Sequence, residues 1–206
     1  MCAADPVFAS SDPAIQAHTY HGTPAEWVTL RGAIASELGR AEAPPADPPR
    51  RRRATNAEGI AEGGARWPPR LLYAQGCSIS DRNTSGFAAA IAAAASADAV
   101  VYAGGLEASL EEEDTDRTES LGLPGVQLDL IRRLRGIASA RNVPLIVFLV
   151  SGGPISEPSL AYPSPFTPDA LLWTSYFGQS ARPLARLLLH VLPLDWPPCG
   201  WGHWSP

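Results

Sequence analysis

Between residues 99 and 178 the hydrophobic positions alternate between two patterns. "AVVYAGG" (99–105) and "PLIVFLVSGG" (144–153) are continuous apolar runs of strand length, as expected for strands covered on both faces. Between them, "LPGVQLDLIRRLRGIASARN" (123–142) carries Val126, Leu130, Leu134 and Ile137 at helical spacing. Its Pro124 is placed where a first helical turn tolerates proline. Upstream, "RLLYAQG" (70–76) reads as a short strand, and "SGFAAAIAAAASAD" (85–98) as an alanine-rich helix with Phe87 and Ile91 on one face. Downstream, "DALLWTSYFG" (169–178) is a further strand, and "SARPLARLLLHVL" (180–192) a last helix with Pro183 in its first turn. Trp27, Leu30, Ile34 and Leu38 mark a helix inside 14–39. Strands alternating with helices predict parallel βαβ units under right-handed crossovers, hence a three-layer α/β/α sandwich around a mostly parallel sheet. Residues 40–69 hold six prolines and no periodicity, and read as a linker or insertion between a partial segment, 1–39, and the sandwich, 70–180. Residues 181–206 diverge in composition, with three of the six tryptophans in the last eleven positions.

Composition narrows the functions. The 206 residues suffice for one domain with a core, and 45% hydrophobic with 18% charged residues fits a globular chain. A net charge of -5 disfavours a general nucleic-acid or anionic-membrane surface. The one strong basic run, Arg50 to Arg53, lies in the proline-rich stretch and reads as a solvated linker. Cys2, Cys77 and Cys199 are far apart and odd in number, so neither a disulfide framework nor a zinc site is signalled, and no metal or cofactor is expected. Residues 1–20 lack the basic start and apolar run of a secretory leader, and no apolar run reaches transmembrane length.

One stretch stands out. Glu107, Glu111, Glu112, Glu113, Asp114, Asp116 and Glu119 crowd into thirteen residues with a single base, Arg117. They follow the carboxyl end of the strand at 99–105, the edge where open α/β sheets bind ligands. Three readings compete. The acids can be a solvated loop ahead of a helix N-terminus, favoured by its dipole. They can be a calcium loop, but "DTDRTESLGLPG" has Glu119 where the turning glycine belongs and Gly125 where the closing glutamate belongs. Or one of them is a general acid, since a carboxyl among carboxylates holds its proton to higher pH. No dinucleotide fingerprint follows Gly104-Gly105, and Ser151 sits in "VSGG" rather than in a nucleophile elbow.

The ordered set "YAQGCSIS…FAAAIAAAASADAVVYAGGLEASLEEEDTDRTESLGLPGVQLDLIRRL…VPLIVFLVSGGPISEPSL…PDALLWTSYFGQS" resembles the C-terminal α/β sandwich domain of glycoside hydrolase family 3, nearest its fungal β-xylosidase branch. "HTYHGTPAEWVTLRGAI" is similar to the segment that branch carries shortly before it, so the likeness spans about 14–39 and 70–180. The resemblance implies retaining cleavage of a β-glycoside: an Asp of an N-terminal (β/α)8 barrel attacks, and a Glu of the sandwich donates the proton. The family's acid/base Glu precedes its Asp-Arg pair by three residues, which implies Glu113 here, ahead of Asp116-Arg117. Glu111 then stands as a sugar contact, as a charge that keeps the proton on Glu113, or as a solvated neighbour, and Asp116 and Arg117 as a structural pair holding the loop. Glu112, Asp114 and Glu119 are expected to face solvent, and Tyr73, Tyr102 and Trp173 to be core.

The chain departs from the family at its ends. The barrel is not recognisable, "MCAADPVFASS" stands where an opening strand is expected, and the tail after Gln179-Ser180 loses the likeness. The expectation is a fragment or truncated gene model, incomplete at both ends. It would be part of a retaining β-glycosidase acting on terminal β-D-xylosyl or β-D-glucosyl residues, and inactive alone. Its implied partners are a β-linked xylo- or gluco-oligosaccharide and the missing barrel, with no nucleic acid or membrane. The alternative is a non-catalytic carbohydrate-binding or partner-docking module. Members of the family are commonly secreted; sugar specificity and localisation stay open.

Overall fold

A computed structural model of the chain describes residues 2–3, 28–40, 70–107, 110–111, 116–117, 120–176 and 180–191. The strands are β1 (Cys2–Ala3), β2 (Ala74–Gln75), β3 (Val100–Gly105), β4 (Leu145–Val150) and β5 (Ala170–Thr174). They form one sheet in the order β2-β1-β3-β4-β5, and every pairing is parallel. The helices are α1 (Leu30–Arg40), α2 (Phe87–Ala95), α3 (Gln127–Arg141) and α4 (Arg182–Val191), with a 3-10 turn at Pro158–Leu160. This is the predicted three-layer α/β/α sandwich.

The two central runs behave as their sequences predict. All six residues of β3 and all six of β4 are buried, so both faces of the sheet are covered there. On one side α3 lays Leu130, Ile131, Leu134 and Ala138 against the sheet, and α2 adds Phe87, Ala90 and Ala94. Alanine is the strongest helix former, and its small side chain lets α2 pack close to α3. On the other side α1 and α4 pack together through Leu30, Ala33, Ile34, Ala185 and Leu188, with Arg186 paired to Glu37 at 3.3 Å. Each large side chain buried here contributes roughly 1.5–3 kcal/mol.

Four sequence expectations are corrected. An opening strand is present: Cys2–Ala3 lies between β2 and β3 and pairs in parallel with both. Pro124 precedes α3 instead of lying in its first turn, because Gly125 adopts a left-handed φ of 62° and no helix can run through it. The buried stripe of α3 is Gln127, Leu130, Ile131, Leu134 and Ala138, which turns Val126 and Ile137 to its flanks. Trp173 is not core: it is 58% exposed, because β5 is the outer strand and its alternate residues Leu171 and Trp173 face outward. Tyr102, by contrast, is fully buried, and Tyr73 lies half-buried under Arg31, 4.4 Å from its ring centre. Asp169, at the amino edge of the sheet, accepts hydrogen bonds from Leu145 N (2.8 Å) and Arg135 Nη1 (2.7 Å), which ties the start of β5 to that of β4.

Candidate functional site

At the carboxyl edge three chain segments meet. β3 runs out through Leu106 and Glu107 into the acidic stretch; β4 runs out through Ser151, Gly152 and Gly153; β5 runs out towards Tyr176. The strand order reverses between β1 and β3, so that crevice is the general ligand position of such a sheet. Here the crevice is occupied by the chain itself. Gln127 is fully buried at the start of α3, and its carboxamide bonds to Tyr102 and to both polar atoms of the Gly105 backbone.

Arg117 organises the carboxyl edge. Its Nε donates to Glu111 Oε2 in an ion pair, its Nη1 donates to Gly122 O at 2.9 Å, and its Nη2 donates to Pro154 O. The guanidinium fork suits this task, since one rigid plane serves a carboxylate and two carbonyls. Only 8% of the Arg117 side chain and 18% of the Glu111 side chain are exposed. The Glu111 carboxylate lies directly on Gly153, where any Cβ would displace it, and the Tyr176 ring covers Gly152 in the same way. The pair of glycines after β4 therefore makes room for a carboxylate and a ring.

The structure thus assigns Arg117 the partner Glu111, while Asp116 beside it is exposed. Arg117 holds the loop through Glu111 and the carbonyls of Gly122 and Pro154, not through its sequence neighbour Asp116. Glu113, the candidate acid, falls outside the described residues, as do Glu112, Asp114 and Glu119. The described residues bring together Glu111 and Arg117, two residues before and four residues after Glu113. Tyr176, Gly152-Gly153 and Gln127 were not singled out as site residues by sequence reasoning. The "GG" directly after an apolar run was the available signal, since two glycines there permit close approach of other groups.

Two further side chains complete the edge. Burial raises the Tyr176 phenol above its ordinary value, with smaller contributions from the carboxylates of Glu111 and Glu107; the Gly152 backbone and Arg117 act the other way. Ser151, fully buried, donates through Oγ to Gly153 O at 2.7 Å and accepts from Trp173 Nε1 at 2.8 Å, so its hydroxyl braces the turn and the exposed indole. Among the described residues no group of three or more His, Cys, Asp or Glu could hold a metal ion.

The Arg117 arrangement has a measurable consequence. Arg117→Ala leaves a largely enclosed carboxylate and two carbonyls without their donor, and should cost about 2–3 kcal/mol, less than a fully buried pair because Glu111 retains some solvent. In urea unfolding, the Glu111→Ala, Arg117→Ala double variant should lose less than the sum of the two single losses. Strict additivity would show that the pair is not coupled.

Comparison with known proteins accords with this geometry. The family model "Glycosyl hydrolase family 3 C-terminal domain" matches residues 8–191, running through 40–69 and past Ser180. An exo-1,4-beta-xylosidase, xlnD, from Aspergillus niger is 48% identical over 111 residues, which is 54% of this chain and 13% of that protein. A probable exo-1,4-beta-xylosidase, bxlB, from Aspergillus oryzae is 40% identical over 111 residues, again 54% of this chain and 13% of the relative. The chain therefore spans a small part of these relatives. Among solved structures, a family 3 exo-beta-xylosidase (XlnD) in complex with a xylobiose aziridine activity-based probe superposes with a TM-score of 0.67 at 25% identity, covering 92% of this chain and 20% of that one. A beta-glucosidase from intestinal bacteria shares the fold, with a TM-score of 0.61 at 17% identity. With a family match over most of its length and an α/β sandwich to carry it, the chain belongs to glycosyl hydrolase family 3, in which it is a C-terminal domain.

Proposed function

We propose that this chain supplies the acid/base carboxyl of a retaining β-glycosidase acting on terminal β-D-xylosyl residues, with Glu113 as the proton donor. The observation that supports this reading is the Arg117–Glu111 clasp: it holds the two flanks of Glu113 against the turn after β4. A donor must be aimed at the glycosidic oxygen within hydrogen-bond reach, and a loop anchored on both sides of it is one way to aim it. In this scheme Glu113 protonates the leaving oxygen and then activates water, while a carboxylate of a separate (β/α)8 barrel, about 5 Å away, forms the glycosyl intermediate. Glu111, already spent on Arg117, positions the loop and does not contact the sugar. The xylosyl preference rests on likeness to the exo-1,4-beta-xylosidases, and a β-glucosyl substrate fits the same chemistry.

A second reading, a carbohydrate-binding module, is favoured by one observation. The Trp173 indole is exposed and braced by Ser151 at the same edge, a flat apolar face of the kind that accepts a sugar ring. The two readings separate in one assay of xylobiose with the chain alone and with the chain joined to a family 3 barrel. Turnover by the joined protein only supports the hydrolase half. Binding by the chain alone, abolished by Trp173→Ala, with no turnover by the joined protein, supports the module and sinks the hydrolase reading.

A further inference from the structure

The carboxamide of Gln127 is fully buried and makes every hydrogen bond available to it. Oε1 accepts from Tyr102 OH (2.9 Å) and Gly105 N (2.9 Å). Nε2 donates to Gly105 O (2.8 Å) and Ile79 O (2.9 Å). Two acceptor positions and two N–H groups are the whole capacity of an amide side chain.

Its placement follows from strand register. Val100 N donates to Pro144 O and Leu106 N donates to Val150 O, so the even-numbered peptides of β3 face β4. The odd-numbered ones, Gly105 included, face β1. The described part of β1 runs beside β3 no further than the Ala3–Ala103 pair. Gly105 is two residues beyond, and there Gln127 takes both its N–H and its C=O. The side chain does for Gly105 what one more residue of a neighbouring strand would do.

Two glycines make room for this. A Cβ on Gly104 would stand 2.5 Å from both Gln127 Oε1 and Tyr102 OH. A Cβ on Gly125 would stand 2.5 Å from Asp81 O and 3.0 Å from Ile79 O, so the start of α3 sits directly on the 79–81 segment. One carboxamide thereby joins the end of β3, the segment after β2 and the first residue of α3. Glu107, the first acid of the acidic stretch, is two residues past Gly105.

We infer that Gln127 is a positioning residue: by replacing a strand at the β1–β3 switch point it fixes the direction in which β3 releases the acidic stretch, and so the aim of Glu113. The second half of this inference rests on the proposed function; the first half stands on the hydrogen bonds alone. It assigns Gln127 no contact with sugar.

Gln127→Met, similar in size but without polar atoms that can replace the amide, is the test. In the full chain, amide exchange at Gly105 should quicken by about tenfold or more relative to wild type, the worth of one lost hydrogen bond. The amides of Val100 and Leu106, bonded to the β4 side, should keep their protection. A general loss of stability would quicken all three together, and that result overturns the inference. In the chain joined to a family 3 barrel, Gln127→Met should lower kcat on xylobiose by roughly 10–100-fold. On an aryl xyloside whose leaving group needs no proton it should spare the first step, read as a burst of phenol, and slow only the second, which still needs Glu113 as base. A burst that shrinks or slows in step with the loss on xylobiose would make Gln127 a folding residue only. Gln127→Glu keeps the acceptor for Gly105 N and forfeits both donors, and it should show the same substrate split if the Met variant does not fold. A joined wild type that hydrolyses neither substrate overturns the proposed function, and the exchange pattern at Gly105 then decides the strand-replacing role by itself.

Discussion

Glu113→Gln, in the chain joined to a nucleophile-bearing barrel, should lower hydrolysis of xylobiose by about 100- to 10,000-fold. The amide is nearly isosteric with the acid but has no proton to give to an alkoxide leaving group. The loss should depend on that group. An activated phenol departs unaided, so the first step on a dinitrophenyl xyloside should survive, while the second step, which needs a base to activate water, should become limiting. The expected signature is therefore a burst of phenol followed by slow turnover. Uniform loss on all substrates, without a burst, would mean that Glu113 shapes the site without moving a proton. Glu111→Gln should behave differently, because Glu111 is held by Arg117: stability falls, and the leaving-group dependence stays that of the wild type.

Gly105→Ala should be the most damaging single change to the fold. Gly105 ends β3 at φ 136°, a conformation closed to side chains, and a Cβ there would be driven into the Val150 carbonyl and within 2.7 Å of Val150 N. Backbone strain of about 1–3 kcal/mol adds to the cost of overpacking, another 1–3 kcal/mol or so. A loss of about 2–6 kcal/mol is a large share of what an ordinary domain has. Chemical denaturation should show it as a lower midpoint, or the variant should not accumulate folded. A midpoint within experimental error of wild type would show that the β3–β4 edge yields easily, and would undo the account of how the acidic stretch is anchored.

The core of the sandwich was legible because its signals are local. Unbroken apolar runs announced β3 and β4, and alanine content announced α2. What escaped depends on contacts distant in sequence. Gln127 falls outside the Val126, Leu130, Leu134 and Ile137 spacing, yet it heads the buried stripe, because its partners at Ile79, Tyr102 and Gly105 satisfy its polar atoms. Trp173 looked like core because hydrophobic strands usually are; its position on the outer strand, which no local pattern encodes, left it exposed. The family resemblance implied that Asp116 and Arg117 hold the loop, but not how: the guanidinium reaches back six residues to Glu111 and forward to Pro154. Gly105 and Gly125 showed as glycines in sequence, but the left-handed geometry that requires them was visible only in three dimensions.

The central claim is that Glu113 is the acid/base of a retaining glycosidase, and its most direct test is the product formed by the barrel-joined Glu113→Ala protein from an activated aryl xyloside in the presence of azide. A retaining scheme leaves a glycosyl-enzyme that water cannot attack without a base, whereas azide needs none. Azide should restore turnover, and β-xylosyl azide should accumulate. No azide adduct and no rescue, or a Glu113→Ala protein that cleaves xylobiose as fast as wild type, would contradict it.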